Sequence, residues 1–480
     1  MLLPRFVPFR LQSLVRVGAV SVCAGAIVAV TTLDYGYFLP LGLLGVGYIA
    51  WSFPRPLVAM TTIVLLYAYL YEQSEGISLL EVGFALYAYG YVAYWFVRKI
   101  FVDRQRIFLH EADLLLVAFL VLSVISILLL LVRNVTVDWW LREMIAIAGL
   151  VFYFPARDVL RTDRAVGKVF SAFLIVAVGI SAYNLVVYRT STIAASYLWE
   201  LWGGRQTFGV TFFFAAAVLS TSFYLHSRGW MRKTTFLLAF VLSGLALAFT
   251  FSRGFWIGAM LGVVVIFFLV ERARRLELLT TVSIASILGV LAIVLFAGNI
   301  GEYVLRALAV RLSTSGSFVQ DISLSNRIVE SEAALAMIKQ NPVIGFGYGA
   351  TFPHYNLITK VTEYSIYVHN AYVHMLLKVG ILGTAIFFGF VGLVLVRGVR
   401  RARANLDGRV TTAMVRGSVG VIVGILFIAT NSGILTDKVA ILMIALGSAV
   451  IMSNPALPAV RNGMSSPERS GRTNGGTKQV

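Results

Sequence analysis

Runs of about 18 or more apolar residues recur along this chain, and each is long enough to cross a bilayer as a helix. That recurrence constrains the fold more than any single motif does. A helix satisfies its own backbone hydrogen bonds in lipid, and an open sheet edge cannot. The alternating pattern of a membrane β-barrel is absent from the sequence. Only 13% of the residues are charged, against about 25% in an average soluble chain. The sequence therefore predicts an all-α polytopic membrane protein of about 12–14 transmembrane helices. The expected spans are 15–32, 36–53, 57–70, 77–97, 114–132, 140–154, 168–188, 207–225, 234–251, 255–270, 277–297, 370–396, 412–430 and 438–452. The first follows a basic stretch without a small-residue cleavage site, so it reads as a span and not as a removed signal. The one cysteine, Cys23, lies in that run, which excludes a disulfide framework within one chain.

The formal net charge of +18 would suggest nucleic-acid binding in a soluble protein. Here the cations sit in short loops between apolar runs, which is a topology signal, and no nucleic-acid partner is expected. One face gathers Arg98, Lys99, Arg104 and Arg106; Arg157, Arg161, Arg164 and Lys168; Arg228, Arg232 and Lys233; Arg272, Arg274 and Arg275; and the cluster from Arg397 to Arg416. Taken as cytoplasmic, that face puts both termini inside. The chain then divides into N-terminal transmembrane helices at 1–297, a large outer loop at 298–368, C-terminal transmembrane helices at 369–452 and a disordered cytoplasmic tail at 453–480, rich in Ser, Gly, Pro and Arg.

A connection of about 70 residues is far longer than usual, and such loops are generally functional or disordered. Its run from Ser313 to Ser317 reads as flexible. Beyond it, Ser325 or Asn326 is expected to cap a short amphipathic helix over 326–340, with Ile328, Leu335 and Ile338 on its apolar face and Pro342 and Gly345 ending it. Arg327 would open this helix. A cation there opposes the helix macrodipole, so it needs either a pair with Glu330 three residues on or an anion held at the helix start.

Arg253 stands in Thr250-Phe251-Ser252-Arg253-Gly254-Phe255-Trp256, a tight turn on the same outer face. It either snorkels to the interface or binds an anion. Gly254, Gly258 and Gly262 follow at four-residue spacing, a stripe for close helix packing. Trp256 is expected as an interfacial anchor. His369 begins the span after the loop, where a histidine is either a hydrogen-bonded structural group or a base working near neutral pH. His374 is expected in packing, His354 in loose loop, and His110 and His226 solvated on the cytoplasmic face. The turn Gly345-Phe346-Gly347-Tyr348-Gly349 lacks the lysine of a phosphate-binding loop. It would let backbone pass close to something, a ligand among the options. The outer loops contain no Asp-x-Asp pair, so neither a metal nor another cofactor is implied.

These residues resemble the O-antigen ligase and polymerase superfamily of bacterial envelope enzymes. The matching pieces are Ser252-Arg253-Gly254 at a span turn, Arg327 followed by Ala334-Leu335 and Asn341-Pro342, Gly345-x-Gly347-x-Gly349, His369-Asn370-x-Tyr372, and Gly380-Ile381-Leu382-Gly383. Two positions depart. Ser331 stands where the family often has tryptophan, and Lys378 where it often has an acid. The resemblance implies a metal-independent glycosyltransferase in the inner (cytoplasmic) membrane of a bacterium, with 298–368 as a large periplasmic loop, that moves a glycan from an undecaprenyl-diphosphate donor to a hydroxyl of a glycan or lipid-linked acceptor at the periplasmic face. It does not separate ligase from polymerase. Arg253 and Arg327 would bind the diphosphate and His369 would act as base, with Asn370, Tyr372, Gly345, Gly347 and Tyr348 in support. The alternatives are a polytopic membrane transporter, which predicts broken helices and midplane charges, and a structural scaffold. Few ionisable residues fall in span centres, which disfavours the transporter.

Overall fold

A computed structural model of the protein describes residues 38–69, 79–129, 137–193, 197–297, 301–313, 322–404 and 408–453. The expected span at 15–32, the stretch 314–317 and the tail lie outside the described residues. The helices are α1 (Phe38–Ser52), α2 (Pro56–Tyr69), α3 (Leu79–Val97), α4 (Glu111–Ile125), α5 (Val137–Ala148), α6 (Tyr153–Val159), α7 (Asp163–Thr192) and α8 (Leu198–Gly203). After them come α9 (Val210–His226), α10 (Trp230–Phe249), α11 (Arg253–Leu269), α12 (Arg272–Ala297), α13 (Gly301–Ser313), α14 (Ile322–Ile338), α15 (Ala371–Ala404), α16 (Arg409–Ile428) and α17 (Lys438–Met452). Every expected span within the described residues is covered by helix, and 6 of the helices are by themselves long and apolar enough to cross a membrane. The protein is thus a largely helical, multi-pass membrane protein.

Helices α9, α16 and α17 are apolar on nearly every side and are buried almost throughout, as expected of the centre of a bundle. The stripe Gly254, Gly258, Gly262 packs against α16 as its spacing predicts. A Cβ on Gly258 would lie 2.6 Å from Ile428 Cγ1, and one on Gly262 would lie 3.0 Å from the Gly420 carbonyl. The small residues let the two backbones approach.

Polar loops segregate to the ends of the bundle. At one end Lys99 pairs with Asp158, Arg157 with Asp113 at 2.6 Å, and Arg397 meets His110 at 3.3 Å. Arg416, fully buried, donates to the Ala402 carbonyl and contacts His226 Nε2 at 2.6 Å. His226 is therefore a packed partner and not the solvated residue expected, because Arg416, two turns into α16, reaches across to it. The opposite end carries the turns at 204–209, 250–252 and 429–437 together with residues 339–370.

The long connection is more structured than its sequence suggests. It holds two helices, α13 and α14, and an antiparallel hairpin, β1 (Phe352–Asn356) and β2 (Val361–Ser365), with His354 opposite Glu363. His354 is thus a buried strand residue, not part of a loose loop. Helix α14 begins at Ile322, so Arg327 lies in its second turn. Asn326 does not cap the helix; its Oδ1 accepts from Leu357 N at 2.8 Å and ties the helix to the hairpin. The expected apolar face is also rotated. Ile328 and Leu335 are exposed, and the buried stripe is Glu330, Ala334 and Ile338. Hydrophobicity alone cannot assign an acid to an inward face. Ala334 and Ile338 pack with Phe346, Ala350, Phe352, Val368, Val373 and Leu377 into a small core that fixes the hairpin and α14 on α15.

Candidate functional site

The glycine turn and the start of α15 form one device. Helix α15 breaks at Gly380, whose φ of 62° and ψ of −171° suit only glycine. The freed groups find partners in the turn. Ile381 N donates to the Pro342 carbonyl at 2.8 Å and Leu382 N to that of Val343 at 3.1 Å. In return Phe346 N donates to the Leu377 carbonyl and Gly347 N to that of Lys378, both at 2.8 Å. Asn341-Pro342 and Gly380-Ile381-Leu382-Gly383 are therefore two halves of one backbone graft. What passes close to Gly345 is this helix, with Gly380 N 2.6 Å from where its Cβ would stand, and not a ligand. Tyr348 is fully buried beside Met375.

A buried ionic cluster locks the graft in place. Glu143 on α5 meets Lys378 Nζ at 2.9 Å and His374 Nε2 at 3.2 Å, and it accepts from Gly349 N. Lys378 Nζ also donates to the Ala350 carbonyl at 2.7 Å. The position that departs from the family's acid thus faces inward, and the carboxylate comes from another helix.

His369 sits just before this helix. Its Nδ1 lies 2.7 Å from Glu330 Oε2, and its backbone N donates to Glu330 Oε1 at 3.1 Å. A carboxylate only accepts, so Nδ1 is the donor, and in the neutral imidazole this tautomer leaves the lone pair on Nε2. The Glu330 side chain is 3% exposed and that of His369 42%, so the carboxylate is shielded while the imidazole is open. Glu330 is therefore the partner of His369, not of Arg327. Tyr367 packs edge-on to the His369 ring with centroids 5.3 Å apart. Burial holds the Tyr367 phenol above its usual range, so it stays neutral.

Arg327, one turn before Glu330, donates from Nη1 to the Asn431 carbonyl at 2.7 Å. Asn431 follows α16, and its side chain fills the space beside Gly254, where a Cβ would lie 2.5 Å from Oδ1. Gly254 adjoins Arg253, the first residue of α11. Nearby, Ala371 N donates to the Ala429 carbonyl at 2.8 Å. The loop 429–431 thus gathers the turn carrying Arg253, the helix carrying Arg327 and the segment carrying His369. Asn370 and Tyr372 serve this scaffold. Asn370 Oδ1 accepts from Tyr372 N and Val373 N to cap α15, and Tyr372 Oη donates to the Leu426 carbonyl at 2.7 Å. Trp256 does likewise, donating from Nε1 to the Leu247 carbonyl at 2.8 Å.

Sequence reasoning missed Glu330 as the histidine's partner, and it missed Asn431 and Glu143. Glu330 was within reach, since a lone acid one turn from a cation invites a search for its partner. Asn431 gave no signal, because its contact with Arg327 spans 104 residues.

Residues 238–388 match the model of the family described as O-antigen ligase. The matched segment holds Arg253, Arg327, Glu330 and His369 and covers about a third of the chain, and the resemblance to the O-antigen ligase and polymerase superfamily holds over it. It supports a glycan-transfer function in a membrane. Among curated proteins, nothing matches the chain.

Proposed function

We propose that this protein is a metal-independent glycosyltransferase that takes a glycan from an undecaprenyl-diphosphate donor and joins it to an acceptor hydroxyl at the periplasmic face. The observation that carries this reading is the Glu330–His369 pair, set one helical turn from Arg327 and beside the turn of Arg253. Glu330 orients the imidazole, and His369 Nε2 takes the proton of the acceptor hydroxyl as its oxygen bonds to the anomeric carbon. The bond from that carbon to the diphosphate breaks, and the lipid diphosphate departs with the electron pair. Arg253 and Arg327 stabilise the charge that gathers on it, as preformed cations cost no reorganisation at that moment. Both termini are cytoplasmic, and 298–368 is the periplasmic segment that meets the lipid donor at the membrane surface.

The transporter reading loses ground on two features that first suggest it. The broken α15 is filled by the protein's own backbone, and the buried Glu143, His374 and Lys378 face one another instead of a passage. The test is transfer by purified protein given a lipid-diphosphate-linked glycan. His369→Ala should abolish transfer and leave donor binding intact, and Arg327→Lys should impair transfer in a folded protein, since lysine keeps the charge and loses the fork. A chelator should leave activity unchanged. Normal glycan from His369→Ala protein would end the proposal.

A further inference from the structure

Helix α13 is amphipathic, and its inward stripe ends in a cation. Val304 and Ala307 are fully buried, and Arg311 continues the same face one turn later. An arginine on a core-facing stripe is held by something specific. Arg311 Nε donates to the Phe251 carbonyl at 3.4 Å, and its guanidinium lies 5.9 Å from the centre of the Trp202 ring. Phe251 offers that carbonyl from a left-handed conformation, φ 51°, which turns it out of the α10–α11 corner.

These residues line an open cleft of about 340 Å³, together with Gly203 and Arg205. That lies at the small end of ligand pockets, which run from about 300 to 1,000 Å³, and suits a mono- or disaccharide unit. The chemistry of the wall is narrow. Among the described residues it has two guanidinium groups, the Trp202 and Phe251 rings, and no aliphatic side chain. The Arg205 guanidinium and the Trp202 indole N–H have no hydrogen-bond partner among the described residues. Glu200, the acid on α8, caps its own helix by accepting from Tyr197 N at 3.2 Å. Phe251 lies two residues before Arg253, so the cavity and the proposed transfer site share one turn.

We infer that this cavity is a subsite for an acidic sugar unit of the glycan, one bearing a carboxylate or phosphate. The anion sits between Arg205 and Arg311, and the apolar C–H face of the ring lies on Trp202. The inference rests on the proposed transfer function for its biological meaning, but its test reads binding alone. Full-length protein in neutral detergent is titrated calorimetrically with a galacturonic acid trimer, a neutral galactose trimer, inorganic phosphate and, in nanodiscs, phosphatidylglycerol.

The acidic trimer should bind at least about tenfold more tightly than the neutral one, the gain expected of one charge-assisted contact. Arg205→Gln, at an exposed position that leaves the fold alone, should remove most of that preference. Arg311→Gln should do the same, and Trp202→Phe should weaken both sugars. His369→Ala should bind the acidic trimer as the wild type does. Equal binding of the two trimers, or an Arg205→Gln protein with its preference intact, overturns the subsite. So does phosphatidylglycerol or phosphate binding while neither trimer does, which would mark a lipid-phosphate site. A protein that transfers glycan without preferring the acidic trimer sinks this inference only. One that prefers it and transfers nothing sinks the transferase and leaves a sugar site.

Discussion

Glu330→Gln is the substitution that most directly tests the His369 assignment. Glutamine has the same size, and its amide oxygen can still accept from His369 N, now 3.1 Å from Glu330 Oε1. What disappears is the negative charge 2.7 Å from Nδ1, in a side chain that is 3% exposed and therefore poorly screened. A hydrogen bond to a charged group contributes about 1.5–3 kcal/mol, and each 1.4 kcal/mol is tenfold in rate, so transfer should fall by about 10- to 100-fold. Loss of tautomer control adds to this, since a neutral amide can also donate to Nδ1 and so place the proton on Nε2. The assay is initial-rate transfer from a lipid-diphosphate-linked glycan in detergent, with donor binding and thermal unfolding measured on the same samples. The turnover number should drop while donor binding stays near wild type, and the unfolding temperature should fall modestly because the lost bond also supports the fold, with the protein still folded at the assay temperature. Because the pair acts as a unit, Glu330→Gln should add almost nothing to His369→Ala. A Glu330→Gln enzyme within twofold of wild type, or a further loss on top of His369→Ala, would refute the pairing as what orients the imidazole for transfer.

Three other outcomes follow from the packing. Lys378→Met strands Glu143 as an uncompensated buried charge and should cost about 3–5 kcal/mol; thermal unfolding should show it, and adding Glu143→Gln should recover part of the loss. Gly380→Ala forces a side chain into glycine-only dihedrals, at about 1–3 kcal/mol, and onto the Val343 carbonyl, so the yield of folded protein in membranes should collapse while Gly392→Ala, which meets open space, behaves as wild type. Tyr367, its phenol raised by burial, binds its proton more tightly folded than unfolded. Its contribution to stability is therefore complete below the ordinary tyrosine range near pH 10 and is lost as pH rises through the folded value; Tyr367→Phe should flatten that alkaline limb in a stability–pH series.

The class of structure was legible in the chain. Apolar runs long enough for a bilayer leave few alternatives, and helices appear at every expected span among the described residues. Glycines at four-residue spacing foretold a close helix contact, because close packing needs small residues wherever two helices meet, and the fold supplies α16 as the partner. The motif residues Arg253, Arg327 and His369 were also legible, as isolated polar groups in an apolar chain. Only the tertiary structure decided what they touch. Hydrophobic patterning put Ile328 and Leu335 on the inner face of α14, yet the fold turned Glu330 inward, since a carboxylate held by the imidazole and backbone of His369 can be buried where an unpaired one cannot. The glycine turn, expected to let backbone pass close to something, proved to be the patch for a broken helix, through hydrogen bonds that join residues more than 30 positions apart. Lys378 and Glu143 each look misplaced in sequence, and only their proximity makes either stable. Pair formation across long separations depends on how the helices pack, and no local pattern encodes it.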